Sequence, residues 1–170
     1  MRGRVLLVGM ALLAAGCSSG SKLVVHADGR IGSFRLDRTT EAEVRAKLGK
    51  PDGVIGKMDP GRTAPHGGRT IVYVCGKGCY TEYSFNNDTK ALSDFWTQST
   101  KWRTERGSHS GMPAKEAAHL EGKKIDPGCS GDTIFIRDDR HHTYVLITSK
   151  GKVNAITYLG PHSAYYDGLC

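Results

Sequence analysis

Cysteine and histidine are the residues of this 170-residue chain with chemistry to offer, five of the first and seven of the second. Cys75 and Cys79 flank Gly76-Lys77-Gly78. A tight glycine-rich reversal of this kind favours a Cys75–Cys79 disulfide. The rival is a zinc site using Cys75, Cys79 and a histidine. For that the spacer is loose, and no second short-spaced cysteine pair supports it. A cysteine nucleophile is disfavoured, because the thiolate and not the disulfide attacks. The histidines are dispersed. His141 and His142 are adjacent, so on a strand they point to opposite faces. An envelope metal-handling protein or hydrolase would need two or more of His66, His109, His119, His141 and His162 to converge with a carboxylate. Asp138-Asp139-Arg140-His141-His142 reads better as a solvated hairpin turn. There is no G-x-S-x-G, no P-loop and no H-E-x-x-H. The residues therefore assign no catalytic site, no metal ligands and no cofactor, and the expectation is a non-enzyme.

The compartment is set at the N-terminus. Arg2 and Arg4 precede an uncharged apolar run at 5–15. At ~1.5 Å per residue, a helix that short cannot cross a hydrocarbon core of roughly 30 Å. A secretory signal is the expected reading. The run closes as Leu12-Leu13-Ala14-Ala15-Gly16-Cys17, which resembles the lipobox of bacterial lipoproteins, with Ala14 where leucine is commonest. The resemblance implies cleavage before Cys17 and a diacylglycerol thioether, with fatty acyl chains such as palmitate, on that residue. The other reading is an ordinary signal peptide with an incidental cysteine. Ser18-Ser19-Gly20-Ser21 would serve as a flexible polar leash. With Cys17 lipidated, four cysteines remain, and an even number outside the cytoplasm suggests two disulfides. Cys75–Cys79 then leaves Cys129 to pair with Cys170. The implied location is the extracytoplasmic side of the cell membrane or the outer membrane.

The formal net charge is +7. No lysine-arginine run or basic helix stripe concentrates it. A solubilising surface is expected rather than an anion site, and nucleic acid is a poor partner for an exported chain.

These residues must be positioned by a pattern that runs twice along the chain. Residues 22–30 are a lead-in with a short strand at 23–26. Thr40 and Glu43 form a T-x-x-E capping box, Val44 and Leu48 share a helix face, and Gly49 with Pro51 ends the helix. A long loop at 50–68 is either functional or a tolerated insertion. Strands are expected at 69–75, 79–85 and 90–96. On the last, Leu92, Asp94 and Trp96 should face one way and Ala91, Ser93 and Phe95 the other. A second helix follows Pro113 and ends at Gly122, with strands at 133–137, 143–149 and 152–158. The expected organisation is a signal peptide at 1–16, a lipid-anchored flexible tether at 17–30, one repeat at 31–100 and another at 101–170. The expected fold class is α+β, two tandem helix-plus-three-strand repeats with the helices on one face of an antiparallel sheet.

Thr40-Glu41-Ala42-Glu43-Val44, Leu48-Gly49-Lys50-Pro51 and the hairpin Tyr83-Ser84-Phe85 to Lys90-Ala91-Leu92 resemble the small bacterial lipoproteins of the SmpA/OmlA type. They are similar also to the tandem-repeat β-lactamase inhibitory proteins. The match is strongest over residues 31–98. The resemblance implies a binding scaffold without catalysis, in which aromatics on an open sheet face grip an envelope or secreted protein. The candidate partner-binding residues are Tyr83, Phe85, Trp96 and Tyr158. A further option is a glycan or wall-polymer binder using Trp102, Tyr165 and Tyr166.

Overall fold

Runs of β-branched and aromatic residues dominate the middle and the C-terminal part of the chain, and they fix the architecture. A computed structural model describes residues 23–55, 68–127, 132–137 and 143–159. In chain order it contains β1 (Val24–Val25), β2 (Arg30–Ile31), β3 (Phe34–Arg35), α1 (Glu41–Leu48), β4 (Gly53–Ile55), β5 (Arg69–Gly76), β6 (Cys79–Phe85), β7 (Leu92–Thr97), β8 (Arg103–Thr104), α2 (Ala114–Glu121), β9 (Thr133–Arg137), β10 (Thr143–Ser149) and β11 (Lys152–Leu159). The long strands form a seven-stranded sheet in the order β4-β5-β6-β7-β11-β10-β9, antiparallel at every step. The two-residue strands form a four-stranded sheet, β3-β2-β1-β8, in which β1 and β8 run parallel.

One face of the large sheet carries the core. Ile71, Tyr83, Phe95 and Tyr158 follow one another across β5, β6, β7 and β11, and all four are buried. The small sheet and its flanks lie over them. Phe34 meets the Tyr83 ring edge-on at 5.6 Å, and Trp102 meets Phe95 at 4.9 Å. The Tyr158 hydroxyl donates to the Ala27 carbonyl at 2.6 Å. Each such side chain removed from water stabilises the fold by roughly 1.5–3 kcal/mol.

The helices cover the two ends of the same face. Thr40 caps α1, and its capping box with Glu43 is complete. Val44 points into the core, and the Glu41 carboxylate reaches Arg69 on β5 at 2.8 Å. Leu48 is 43 % exposed, so it does not share the burial of Val44. Pro113 occupies the N-cap of α2 and Gly122, at φ 62°, its left-handed C-cap. Ala117 and Ala118 are buried beside Met112, and the Ala114 amide bonds the Gly151 carbonyl in the turn between β10 and β11 at 2.9 Å.

The expected α+β class is thereby corrected. Among the described residues, two eight-residue helices stand against eleven strands in two sheets. The molecule is mostly β and is not a pair of helix-plus-sheet repeats. Much of the cover expected from helices is supplied by a second sheet. A single large sheet runs through both parts of the chain, because β7 pairs with β11. Residues 23–31, most of them within the stretch expected as a leash, contribute β1 and β2, with Val25 and Ile31 fully buried. Among the described residues no helix is long and apolar enough to cross a membrane.

Candidate functional site

Successive residues on a strand alternate between faces, so the register that sends Tyr83 and Phe95 inward sends their neighbours outward. Gly53, Val72, Glu82, Trp96 and Thr157 follow one another across the opposite face. The adjoining row carries Val74 opposite Tyr80. On the same side Thr70, Ser84, Asp94 and Thr157 are buried, at 3 %, 6 %, 4 % and 5 % exposure, so the accessible part of this face lies toward Val74 and Tyr80. Val74 is 60 % exposed, and Val72, Tyr80, Glu82 and Trp96 are half-buried. The result is an apolar and aromatic stripe with one carboxylate in it.

A β-bulge decides which residues of β7 reach that stripe. Ser84 pairs with Asp94 but Phe85 pairs with Leu92, so Ser93 is the extra residue. The alternation slips there. Leu92 consequently joins Phe95 in the core, whereas Trp96 keeps the outward side. The expected sharing of one face by Leu92 and Trp96 is corrected by this bulge. Two residues beyond Trp96, Gln98 lies on the same face, its amide bonded to the Tyr80 carbonyl at 3.0 Å. The Trp96 Nε1 donor and the Gln98 Oε1 acceptor are both shielded from solvent without a partner among the described residues. Such atoms cost about 1–3 kcal/mol each relative to satisfied ones.

At the β4 edge the stripe ends in a groove of about 400 Å³, lined by Asp52, Gly53, Val72, Val74, Tyr80 and Glu82 among others. Just before β4 begins, Asp52 turns one carboxylate oxygen onto the Val74 amide of β5 at 2.7 Å. Beyond it, Cys75 and Cys79 are disulfide-bonded, Cα to Cα 5.1 Å, across the hairpin turn. This is the pairing the glycine-rich reversal favoured.

Of the four expected partner-binding residues, the structure brings one to the open face. Tyr83, Phe85 and Tyr158 are core residues, at 2 %, 3 % and 0 % exposure, and are corrected to that role. Burial foremost, and the neighbouring Tyr73 second, push the Tyr83 phenol well above its ordinary 10.0. Trp96 stays on the open side. Alternation says that half the aromatics face each way; only the covering sheet decides which half. Val72, Val74 and Tyr80, absent from the expected set, complete the stripe. Trp102 is buried against Phe95 and offers no platform to a glycan.

Cys17, Cys129, Cys170, His66, His141, His142, His162, Tyr165 and Tyr166 lie outside the described residues. His26 pairs with Glu105 at 2.6 Å, and His109 Nδ1 sits 2.9 Å from the Ser110 carbonyl. Among the described residues no three of His, Cys, Asp and Glu gather as a metal site would require.

No protein-family model matches the chain, and no curated protein matches it by sequence. A solved structure does share its fold. The 1.5 Å crystal structure of an extracellular protein containing an SCP domain, from Bacillus anthracis str. Ames, aligns over 72 % of this chain with a TM-score of 0.50 and 8 % identity. The aligned chain spans 43 % of that protein's length.

Proposed function

We propose that this protein is a non-catalytic binding module, anchored by lipid at Cys17 on the extracytoplasmic side of a bacterial envelope membrane, which holds an envelope or secreted protein on the open face of its large sheet. The observation that carries the proposal is the stripe of Val72, Val74, Tyr80 and Trp96, half-buried to exposed, on the face of the large sheet opposite its core. An aromatic anchor among aliphatic neighbours with a polar border is the composition of protein-binding surfaces. The Cys75–Cys79 disulfide supports an oxidising compartment. The apolar N-terminal run and Leu12-Leu13-Ala14-Ala15-Gly16-Cys17 support export and acylation. The extracellular nature of the Bacillus anthracis protein agrees with that placement.

The test is site-specific photo-crosslinking in native envelopes. A benzophenone amino acid replaces Trp96 or Val74 on the open face, or Lys115 on the exposed side of α2. The proposal expects one discrete adduct from positions 96 and 74 and none from 115. Equal yields at all three positions, or no adduct at 96 and 74, would refute it. Mass spectrometry of the mature N-terminus tests the anchor, with an unmodified Cys17 as the refuting result.

A further inference from the structure

The turn between β5 and β6 carries a bond whose surroundings differ from those of a structural cross-link. The β5–β6 ladder runs from Arg69 opposite Phe85 to Val74 opposite Tyr80. It then slips so that Gly76 faces Cys79, and Cys75 is left with no ladder partner in β6. The disulfide thus joins a bulged residue to the first residue of β6. Residues 74–78 are all exposed, and Cys79 is half-buried. A Cβ added at Gly76 or at Gly78 would meet nothing within 4 Å, so there is open space beside each cysteine. Exposed disulfides are the ones that exchange with thiols, whereas structural ones resist reduction.

The strands joined by this bond are held by other contacts as well. The Val74 amide donates to the Asp52 carboxylate at 2.7 Å, and the Tyr80 carbonyl accepts from the Gln98 amide at 3.0 Å. Each strand is thereby tied to a different neighbour right beside the turn. Cross-linking across so short a loop also removes little chain entropy from the unfolded state. We infer that Cys75–Cys79 is a reversible thiol–disulfide exchange site whose co-reactant is a dithiol, and that the fold persists in both redox states. The greater exposure of Cys75 directs attack to its sulfur. One thiolate of the dithiol bonds Cys75 Sγ, the Sγ–Sγ bond breaks, and its electron pair goes to Cys79 Sγ, which takes up a proton. The second thiolate then attacks the dithiol sulfur held in the mixed disulfide and expels Cys75 as a thiolate, which takes up the second proton. The dithiol leaves as a disulfide, having given two electrons and two protons to the cysteines. This inference goes beyond the open-face reading and does not rest on it.

The probe is dithiothreitol, added to the oxidised full mature chain in lipid nanodiscs. Free thiols are trapped by alkylation at intervals, and mass spectrometry follows the peptide that carries both cysteines. The same reaction on the chain unfolded in concentrated urea supplies the rate for an unshielded bond. Native reduction is expected to be no more than about thirty-fold slower than that reference, as an exposed bond requires. The reduced chain should keep the amide NMR shifts of β7 and β11, with changes confined to residues 74–80. Hydroxyethyl disulfide should then restore the bond and the original spectrum. A native rate slower than that limit would mean that reduction waits for unfolding, and would overturn the inference. Loss of the β7 and β11 shifts on reduction would overturn it equally, because the bond would then be structural. The reaction needs no protein partner, so its failure is separable from that of the open-face reading, which the adducts from positions 96 and 74 decide.

Discussion

Tyr83 and Phe95 face each other across β6 and β7 with ring centroids 5.4 Å apart, and both are buried. One step along each strand, Glu82 pairs with Trp96 on the opposite side of the sheet. Phe95→Ala should therefore cost about 3–5 kcal/mol in chemical denaturation, as truncation of a packed aromatic does. Trp96→Ala should cost well under half as much, because that ring is only half-buried, and should abolish partner capture from position 74. Comparable losses of stability in the two variants would place Trp96 in the core.

The cap of α1 makes the fold sensitive to acid. The Glu43 carboxylate accepts from the Thr40 amide at 2.7 Å, while the Thr40 hydroxyl accepts from the Glu43 amide at 3.4 Å. The Thr40 amide bond, helped by the Thr40 side chain, holds the Glu43 carboxyl below its ordinary 4.5. A depressed folded value contributes stability that is present above the unfolded value and lost as pH falls through the folded one. The stability difference between wild type and Glu43→Ala should therefore be constant above about pH 5.5 and shrink below about pH 4.5. At neutral pH, Thr40→Ala should cost about 1 kcal/mol. A pH-independent difference would show that the carboxylate form does not make the cap.

How much of this was legible in the sequence depended on how far apart the cooperating residues are. The capping box of Thr40 and Glu43 lies within one turn, and a sequence reading finds it. The bounds of β6, β9 and β10 follow from their β-branched and aromatic content. Of the small sheet, the strand expected at 23–26 contains β1, but the pairing was not legible, because the strands are two residues long, too short for alternation to register, and Val24 meets its partner Arg103 only through tertiary folding. That missing layer is why Tyr83 and Tyr158 read as surface candidates. The Ser93 bulge was equally hidden, since a single extra residue reverses the face of Leu92 without changing composition. Gly53 read as part of a loop, and its place in β4 appears only when Val72 is set beside it.

At high pH the core tyrosine becomes a weakness. Burial first, and then Tyr73, raise the Tyr83 phenol above its ordinary 10.0, so the folded state retains a proton that the unfolded chain releases. Stability from this source is complete below about pH 10 and declines as pH rises beyond it. Tyr83→Phe should flatten that decline without altering the acid limb. Tyrosinate absorbance should show the Tyr83 phenol ionising with global unfolding. Its titration in the native protein at the ordinary tyrosine value would contradict the burial.

The Cys75–Cys79 bond closes a three-residue turn at the tip of the β5–β6 hairpin. So short a loop gains little from cross-linking, on the order of 2 kcal/mol by chain entropy. Replacing both cysteines with serine should lower stability by that amount or less and leave the core intact. The loss should instead appear as faster amide exchange at residues 74–80, beside the groove. A cooperative collapse of the whole fold would mean that the turn organises far more than the hairpin.

A buried polar contact joins α2 to β8. Glu121 is 3 % exposed, and its carboxylate accepts from the Thr104 hydroxyl at 2.5 Å. The same hydroxyl accepts from the Ser108 amide at 2.9 Å, and Arg106 donates to the Glu121 carbonyl at 3.2 Å. A buried carboxylate deprived of its donor bears a desolvation cost that solvent cannot relieve. Thr104→Val keeps the shape but removes the hydroxyl, and should destabilise by about 1.5–3 kcal/mol, the range of hydrogen bonds to charged groups. Glu121→Gln keeps an acceptor for Thr104 without the charge, and should cost less than half of that. If the two substitutions prove equally damaging, the charge on Glu121 matters as much as the Thr104 hydroxyl that meets it.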